Sequence, residues 1–218
     1  MTREYHQKKY APPDGAADLL LIRHGRTEAA RHDYRFPLVD GHGDPALHPE
    51  GEEQAVRVGE RLRHEPLAAI YVTTLRRTHQ TAAPLAAHLG LTPIVEADLR
   101  EVRLGDWDDG MYRIKSDEGA PEIKRALAEQ EWGHIPNGET TAALHERVRR
   151  GLLNIAARHA DQRVAVVVHG GVIGAAMAIA SGAQAFHFNG AENGSITRIV
   201  IRGETMWAKS FNDCAHLV

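Results

Sequence analysis

Three short stretches of this 218-residue chain place groups suited to phosphorus chemistry beside glycine or at a helix start. Arg23-His24-Gly25 follows the apolar residues 19–22, which read as a buried strand. The arginine offers a permanent planar cation with a fork of N–H donors. The imidazole offers a ring nitrogen that is a neutral nucleophile near pH 7. The glycine lets the backbone turn sharply and a ligand approach closely. His169-Gly170-Gly171 repeats the pattern after the apolar run 164–168, and residues 73–77 lead Arg76 and Arg77 into a helix. Taken singly, each stretch also fits a solvated strand end or helix start, and the chain holds 14 histidines. Their joint placement is more informative. In an open α/β sheet, ligands bind outside the carboxyl ends of the strands. Parallel strands would bring His24, His169, Arg23 and at least one of Arg76 and Arg77 into one phosphate pocket.

The elements that must hold these groups alternate in type. Strands are expected over 19–22, 67–73, 92–95 and 164–168. A helix is expected from His48 to about His64, with Pro49 at its first position and Glu50, Glu52 and Glu53 favouring the positive end of its dipole. A second, capped by Thr73 or Thr74, runs to Leu89 and stops at Gly90. Residues 121–132 and 141–160 read as further helices; in the latter, Leu144, Val148, Leu152 and Ile155 share one face. A small-residue helix follows Gly171 to Ser181, and 195–201 with 205–209 form a hairpin around Gly203. Residues 27–47 and 98–119 read as long polar loops, which are often functional. The expected fold is α/β: a three-layer sandwich with a mainly parallel central sheet, helices on both faces and a C-terminal antiparallel edge hairpin. Residues 18–218 read as a single domain, and 1–17 as a flexible arm.

Composition narrows the function. A net charge of −3 carries no global basic signal for nucleic acid. The single cysteine, Cys214, excludes an internal disulfide and a four-cysteine zinc site. No run reaches the roughly 18 apolar residues that span a membrane, and the N-terminus lacks the apolar core of a signal peptide. A cytoplasmic location is therefore expected, and the Asn193-Gly194-Ser195 sequon is read as without meaning. His145-Glu146-Arg147-Val148-Arg149 lacks the second histidine of a zinc-protease motif, and Gly41-His42-Gly43-Asp44 follows no strand, unlike a dinucleotide fingerprint. No metal and no cofactor are expected, since arginines supply the positive charge. The edge hairpin 196–209 offers a pairing edge to a second copy, a homodimer.

In order along residues 19–174, the chain resembles the histidine phosphatase superfamily, the phosphoglycerate-mutase-like family. Leu20-Leu21-Ile22-Arg23-His24-Gly25-Arg26-Thr27 is similar to its opening signature. Asp44-Pro45-Ala46-Leu47-His48-Pro49-Glu50-Gly51 resembles the next block, with His48 where threonine is usual. Thr73-Thr74-Leu75-Arg76-Arg77-Thr78 resembles a serine-led block whose arginine aligns with Arg77. Leu99-Arg100-Glu101 resembles the Leu-x-Glu loop that carries the proton donor in one branch. Pro136-Asn137-Gly138-Glu139-Thr140 and Val168-His169-Gly170-Gly171 resemble the remaining blocks.

The resemblance implies a metal-independent phosphomonoesterase acting through a phosphohistidine on a small phosphorylated metabolite. His24 would attack phosphorus, its other nitrogen bonded to a carbonyl to fix the tautomer. Arg23, Arg77 and His169 would hold the equatorial oxygens. Glu101 would protonate the leaving oxygen and then activate water; without the family pattern it reads as a solvated carboxylate paired with Arg100 or Arg103. Thr27 and Gly170 join the phosphate contacts. Ala30 stands where many relatives carry asparagine, Arg26 replaces a common glutamate, and Gly174 stands where arginine often occurs. No aspartate follows His169, so Glu101 is the better donor. Residues 26–47 and 102–135 are expected to roof the pocket. Arg26, Arg31, Arg35 and Arg103 are expected to contact an anionic substrate with some apolar surface, and Arg113 and Lys115 are further cations of the same loops. The alternatives are a phosphoglycerate mutase, which generally carries longer insertions and a longer tail, and a phospho-ligand-binding protein without turnover.

Overall fold

A computed structural model describes residues 3–218; Met1 and Thr2 of the expected arm lie outside the described residues. The elements are β1 (Ala17–Arg23), β2 (Leu38–Val39), β3 (His42–Gly43), α1 (Pro49–Leu62), β4 (Leu67–Val72), α2 (Arg76–Leu89), β5 (Ile94–Val95) and α3 (Met111–Asp117). They continue with α4 (Pro121–Glu129), α5 (Thr141–Arg158), β6 (Arg163–Val168), α6 (Gly170–Ser181), β7 (Ile196–Arg202) and β8 (Thr205–Asp213). The main sheet has the order β5-β4-β6-β1-β7-β8. The first four strands in that order run parallel, and β7 and β8 are antiparallel additions.

Alternation within the strands divides the core in two. Leu19, Leu21, Tyr71, Val164, Val166 and Val168 pack with Leu144, Val148 and Leu152 of α5 and Val172 and Ile173 of α6. Leu20, Ile22, Ile70, Val72, Ala165 and Val167 pack with Val58 and Leu62 of α1 and Ala82 and Leu85 of α2. Burial on both faces explains why β1 and β6 read as continuous apolar runs. The three-layer architecture is the one the sequence implies.

Register aligns the strand ends. In the parallel pair of β1 and β6, Arg23 stands opposite Val168, so His24 and His169 leave the sheet side by side. Tyr71 of β4 stands opposite Val166, which brings Thr73 to the same edge.

Several local expectations are corrected. Residues 98–119 are not all loop: α3 starts after Gly110 at φ 102° and buries none of its residues, so it left no apolar period. Helix α4 ends at Glu129, with Gln130 left-handed at φ 55°, and Trp132 belongs to a following 3₁₀ turn. Neither Thr73 nor Thr74 caps α2; Leu75 holds that position without a side-chain cap. The Thr73 hydroxyl instead accepts from Leu75 N at 3.3 Å and faces His169. The loop 27–47 contains the small β2–β3 hairpin. Strand β8 extends to Asp213, beyond the expected 209.

Strand β1 begins at Ala17, one residue inside the expected arm. Residues 3–13 carry no helix or strand. Tyr10 there lies with its ring 4.0 Å from the Lys209 ammonium on β8. Among the described residues, no helix is long and apolar enough to cross a membrane.

Candidate active site

His24 leaves the end of β1 buried, at 5% exposure. Its Nδ1 lies 2.8 Å from Gly25 O. A carbonyl oxygen only accepts, so Nδ1 carries the proton and Nε2 keeps its lone pair. The backbone around it is tied on three sides. His24 N donates to Val168 O at 3.0 Å, Gly25 N donates to Thr81 Oγ1 at 2.9 Å, and Asn193 Nδ2 donates to His24 O at 2.8 Å. Gly25 and Gly51 permit the close contact of this turn with the start of α1: a Cβ on Gly25 would stand 2.3 Å from Gly51 O.

The His169 ring centroid lies 5.2 Å from that of His24, edge to face. Thr73 Oγ1 is 3.1 Å from His169 Nε2. Burial, with Arg77 and Arg23 adding positive charge, holds His24 well below the ordinary imidazole range. Burial, Arg77 and His24 do the same to His169. Both rings are therefore neutral around pH 7 in the free protein.

Two arginines border His24. Arg77, at the first turn of α2, donates to Gly43 O at 2.7 Å and lies 3.9 Å from Asp44. Burial pushes it down to about 10, so it stays charged at neutral pH. Arg23 donates to Ala191 O through Nη1, and its guanidinium lies across Gly170, where a Cβ would come within 3.4 Å of Nε. Arg23 Nε and His169 Nδ1 are both buried without a protein partner. Buried polar atoms are normally paired; Arg23 lines both cavities, whereas His169 is fully buried behind His24 and lines neither.

Glu101 reaches the same place from the turn after Leu99. Its Oε1 accepts from Val102 N at 2.9 Å and from Gly171 N at 3.1 Å, at the start of α6. A Cβ on Gly171 would stand 2.7 Å from that oxygen, so glycine admits the carboxylate. The loop is held by Arg147 of α5, which donates to the carbonyls of Asp98, Arg100 and Glu101 and pairs with Glu139.

Arg23, His24, Arg77, Glu101 and Gly170 line one cavity of about 370 Å³. A second, of about 610 Å³, shares Arg23, His24 and Arg113 with it and is lined by Arg26, Thr27 and Arg31. The cations of the expected roof divide between these cavities and other partners. Arg35 and Arg103 line neither cavity: Arg35 faces Asp109 at 3.5 Å, and Arg103 donates to Asn137 O at 3.0 Å. Lys115 lines neither and pairs with Glu118 at 2.9 Å. Arg76 is turned away, donating to Asp44. Loop arginines have no period from which their direction can be read.

Arg113 has a larger place than its sequence context suggests. It joins the two cavities and donates to Thr27 Oγ1 at 2.7 Å and Glu28 O at 2.8 Å. Asn193, dismissed within a sequon, anchors the His24 carbonyl. Asp108 and Asn189 line the first cavity unannounced by any motif. For Asn193, its place in a glycine-rich stretch ahead of β7 was the available signal. Among the described residues, no group of three or more His, Cys, Asp or Glu stands close enough to hold a metal ion.

The geometry supports in-line attack by a fixed neutral imidazole on a phosphoryl group among arginines, with a carboxyl group nearby. Comparison with known proteins agrees. Residues 19–214 match the family model described as the histidine phosphatase superfamily, branch 1. "Phosphoglycerate mutase-like protein 4" of Arabidopsis thaliana is 35% identical over 72% of this chain and 68% of its own length. The "metal-independent phosphoserine phosphatase" of the same plant is 31% identical over 92% of this chain and 83% of its own. The solved structure of a mycobacterial glucosyl-3-phosphoglycerate phosphatase superposes with a TM-score of 0.73 at 27% identity, covering 90% of this chain and 99% of that one.

Proposed function

The chain belongs to the histidine phosphatase superfamily, branch 1, and from that premise we propose that it hydrolyses the phosphate monoester of a small metabolite through His24. The observation that carries this reading is the His24 Nδ1–Gly25 O bond, which leaves the lone pair on Nε2 of a residue that lines the same cavity as Glu101.

In the first step Nε2 forms a bond to phosphorus as the ester P–O bond breaks. Arg23, Arg77 and Arg113 neutralise the phosphoryl oxygens, and His169 holds one of them. Glu101 gives its proton to the leaving oxygen. In the second step water attacks phosphorus and its proton passes to Glu101. The P–N bond breaks, returning neutral His24 and inorganic phosphate. Thr27 and Gly170 shape the anion site, and Arg26 and Arg31 act from the second cavity.

Two phosphatases of small phosphorylated compounds among the relatives support hydrolysis, while the relative named phosphoglycerate mutase-like keeps phosphoryl transfer as the alternative. Residues 18–218 act as one domain, in the cytoplasm. The outer edge of β8 is the place where a second copy would pair.

The test is phosphoenzyme trapping with a labelled aryl phosphate in the presence of EDTA. The expected result is an acid-labile label lost in His24→Asn, with inorganic phosphate released by the parent protein. Activity only with added phosphoglycerates would replace this reading by the mutase. Binding without turnover would replace it by a phospho-ligand-binding protein.

A further inference from the structure

The two cavities that meet at His24 differ in a way that bears on the substrate. Glu101 lines only the first. A proton donor must reach the leaving oxygen, and in-line displacement sets that oxygen opposite the attacking nitrogen. On the proposed reading, the alcohol half of the ester therefore occupies the first cavity.

That cavity is walled by Phe36, Leu104, Trp107, Tyr112, Leu127 and Trp132. Its cations are Arg23, Arg77 and Arg113. All three serve the phosphoryl end. Arg23, Arg77 and Arg113 all act electrostatically on His24, and Arg113 is tied to Thr27 beside the second cavity. Besides Glu101, the acidic group set among the apolar walls is Asp108, whose Oδ2 accepts from Leu104 N at 2.8 Å. Arg103 lines neither cavity and donates to Asn137 O, although its charge acts on Asp108 from outside the wall.

We infer that the substrate is the phosphate monoester of an uncharged or cationic alcohol with an apolar, ring-bearing body, and that Asp108 disfavours a leaving group carrying a second anion. The inference rests on the hydrolase reading of the same site. Aromatic walls reward a flat apolar body. A carboxylate on that body would face Asp108 with no cation among the lining residues beyond the phosphoryl end, and like charges opposed at a binding surface discriminate strongly.

The experiment compares kcat/KM for benzyl phosphate, para-(aminomethyl)benzyl phosphate and para-carboxybenzyl phosphate, whose leaving alcohols are similar in basicity. The first two are expected to exceed the third by about tenfold or more. Asp108→Asn is expected to narrow that gap. Leu127→Lys, at a wall position 58% exposed and tolerant of change, is expected to narrow it independently by adding a cation. Should Asp108→Asn not fold, Leu127→Lys still decides. Equal or faster turnover of the carboxylated ester, or a gap untouched by both variants, overturns the inference while leaving the hydrolase reading intact. No hydrolysis of any of the three, with no trapped phosphohistidine, overturns the hydrolase reading itself and this inference with it.

Discussion

Arg147 Nη2 donates to the carbonyl of Glu101 at 2.8 Å across 46 residues of sequence. The same guanidinium also binds the carbonyls of Asp98 and Arg100 and the Glu139 carboxylate. One cation on α5 thus fixes the turn that presents the proposed acid. Glu139 fixes the turn a second time, accepting from Arg103 N at 2.7 Å.

Arg147→Met should therefore lower kcat by about 100-fold through misplacement of Glu101, with a smaller change in KM. The loss should be large for alkyl phosphates and small for 4-nitrophenyl phosphate, whose leaving group needs no proton. A purely structural role would reduce both alike. Glu139→Gln, which retains an acceptor for Arg103 N and Arg147, should show the same pattern with a smaller loss.

Thr73 orients His169 through the 3.1 Å contact to Nε2. Thr73→Val keeps the shape and removes the hydroxyl, so kcat/KM should fall about tenfold. The His169 ring nitrogens should shift in NMR spectra while those of His24 stay in place. Unchanged His169 resonances would remove this orienting role.

The buried histidines set the acid limit of the free protein. Burial and neighbouring arginines lower both His24 and His169 below the ordinary imidazole value. The unfolded chain then takes up protons first as pH falls below about 6.5, so folding stability is complete above that value and declines beneath it. Urea unfolding from pH 7.5 to 5.5 should show that decline, and a His24→Asn, His169→Asn double variant should flatten it. The acid limb of kcat/KM should likewise lie below the ordinary imidazole value. Arg77→Met should move that limb upward by removing a repelling charge.

Gly25 cannot carry a side chain without displacing backbone. A Cβ there would meet Gly51 O at 2.3 Å and Gly51 Cα at 3.0 Å. Gly25→Ala should cost about 2–3 kcal/mol in urea unfolding and should also reduce turnover, since the Gly25 carbonyl fixes the His24 tautomer. An unchanged midpoint would show that α1 yields easily.

Residues 19–25 and 164–171 carried their own meaning. Runs of apolar residues ending in Arg-His-Gly or His-Gly-Gly mark parallel strand ends by local chemistry, and strand ends are where such folds bind ligands. Arg77 and Glu101 needed the family pattern, because a helix-start arginine and a loop carboxylate have no periodicity of their own. The bond of Arg113 to Thr27 and the roles of Asn193 and Arg147 lay beyond both. Each depends on a partner 86, 169 or 46 residues away, and local spacing holds no record of such contacts. The directions of Arg35 and Arg103 were illegible for the same reason: a loop side chain points where its long-range partners pull it. Residue type and order thus specify which chemical groups exist and which strands carry them. Packing determines which of those groups share a cavity, because contact across the chain is a property of the folded sheet and its register.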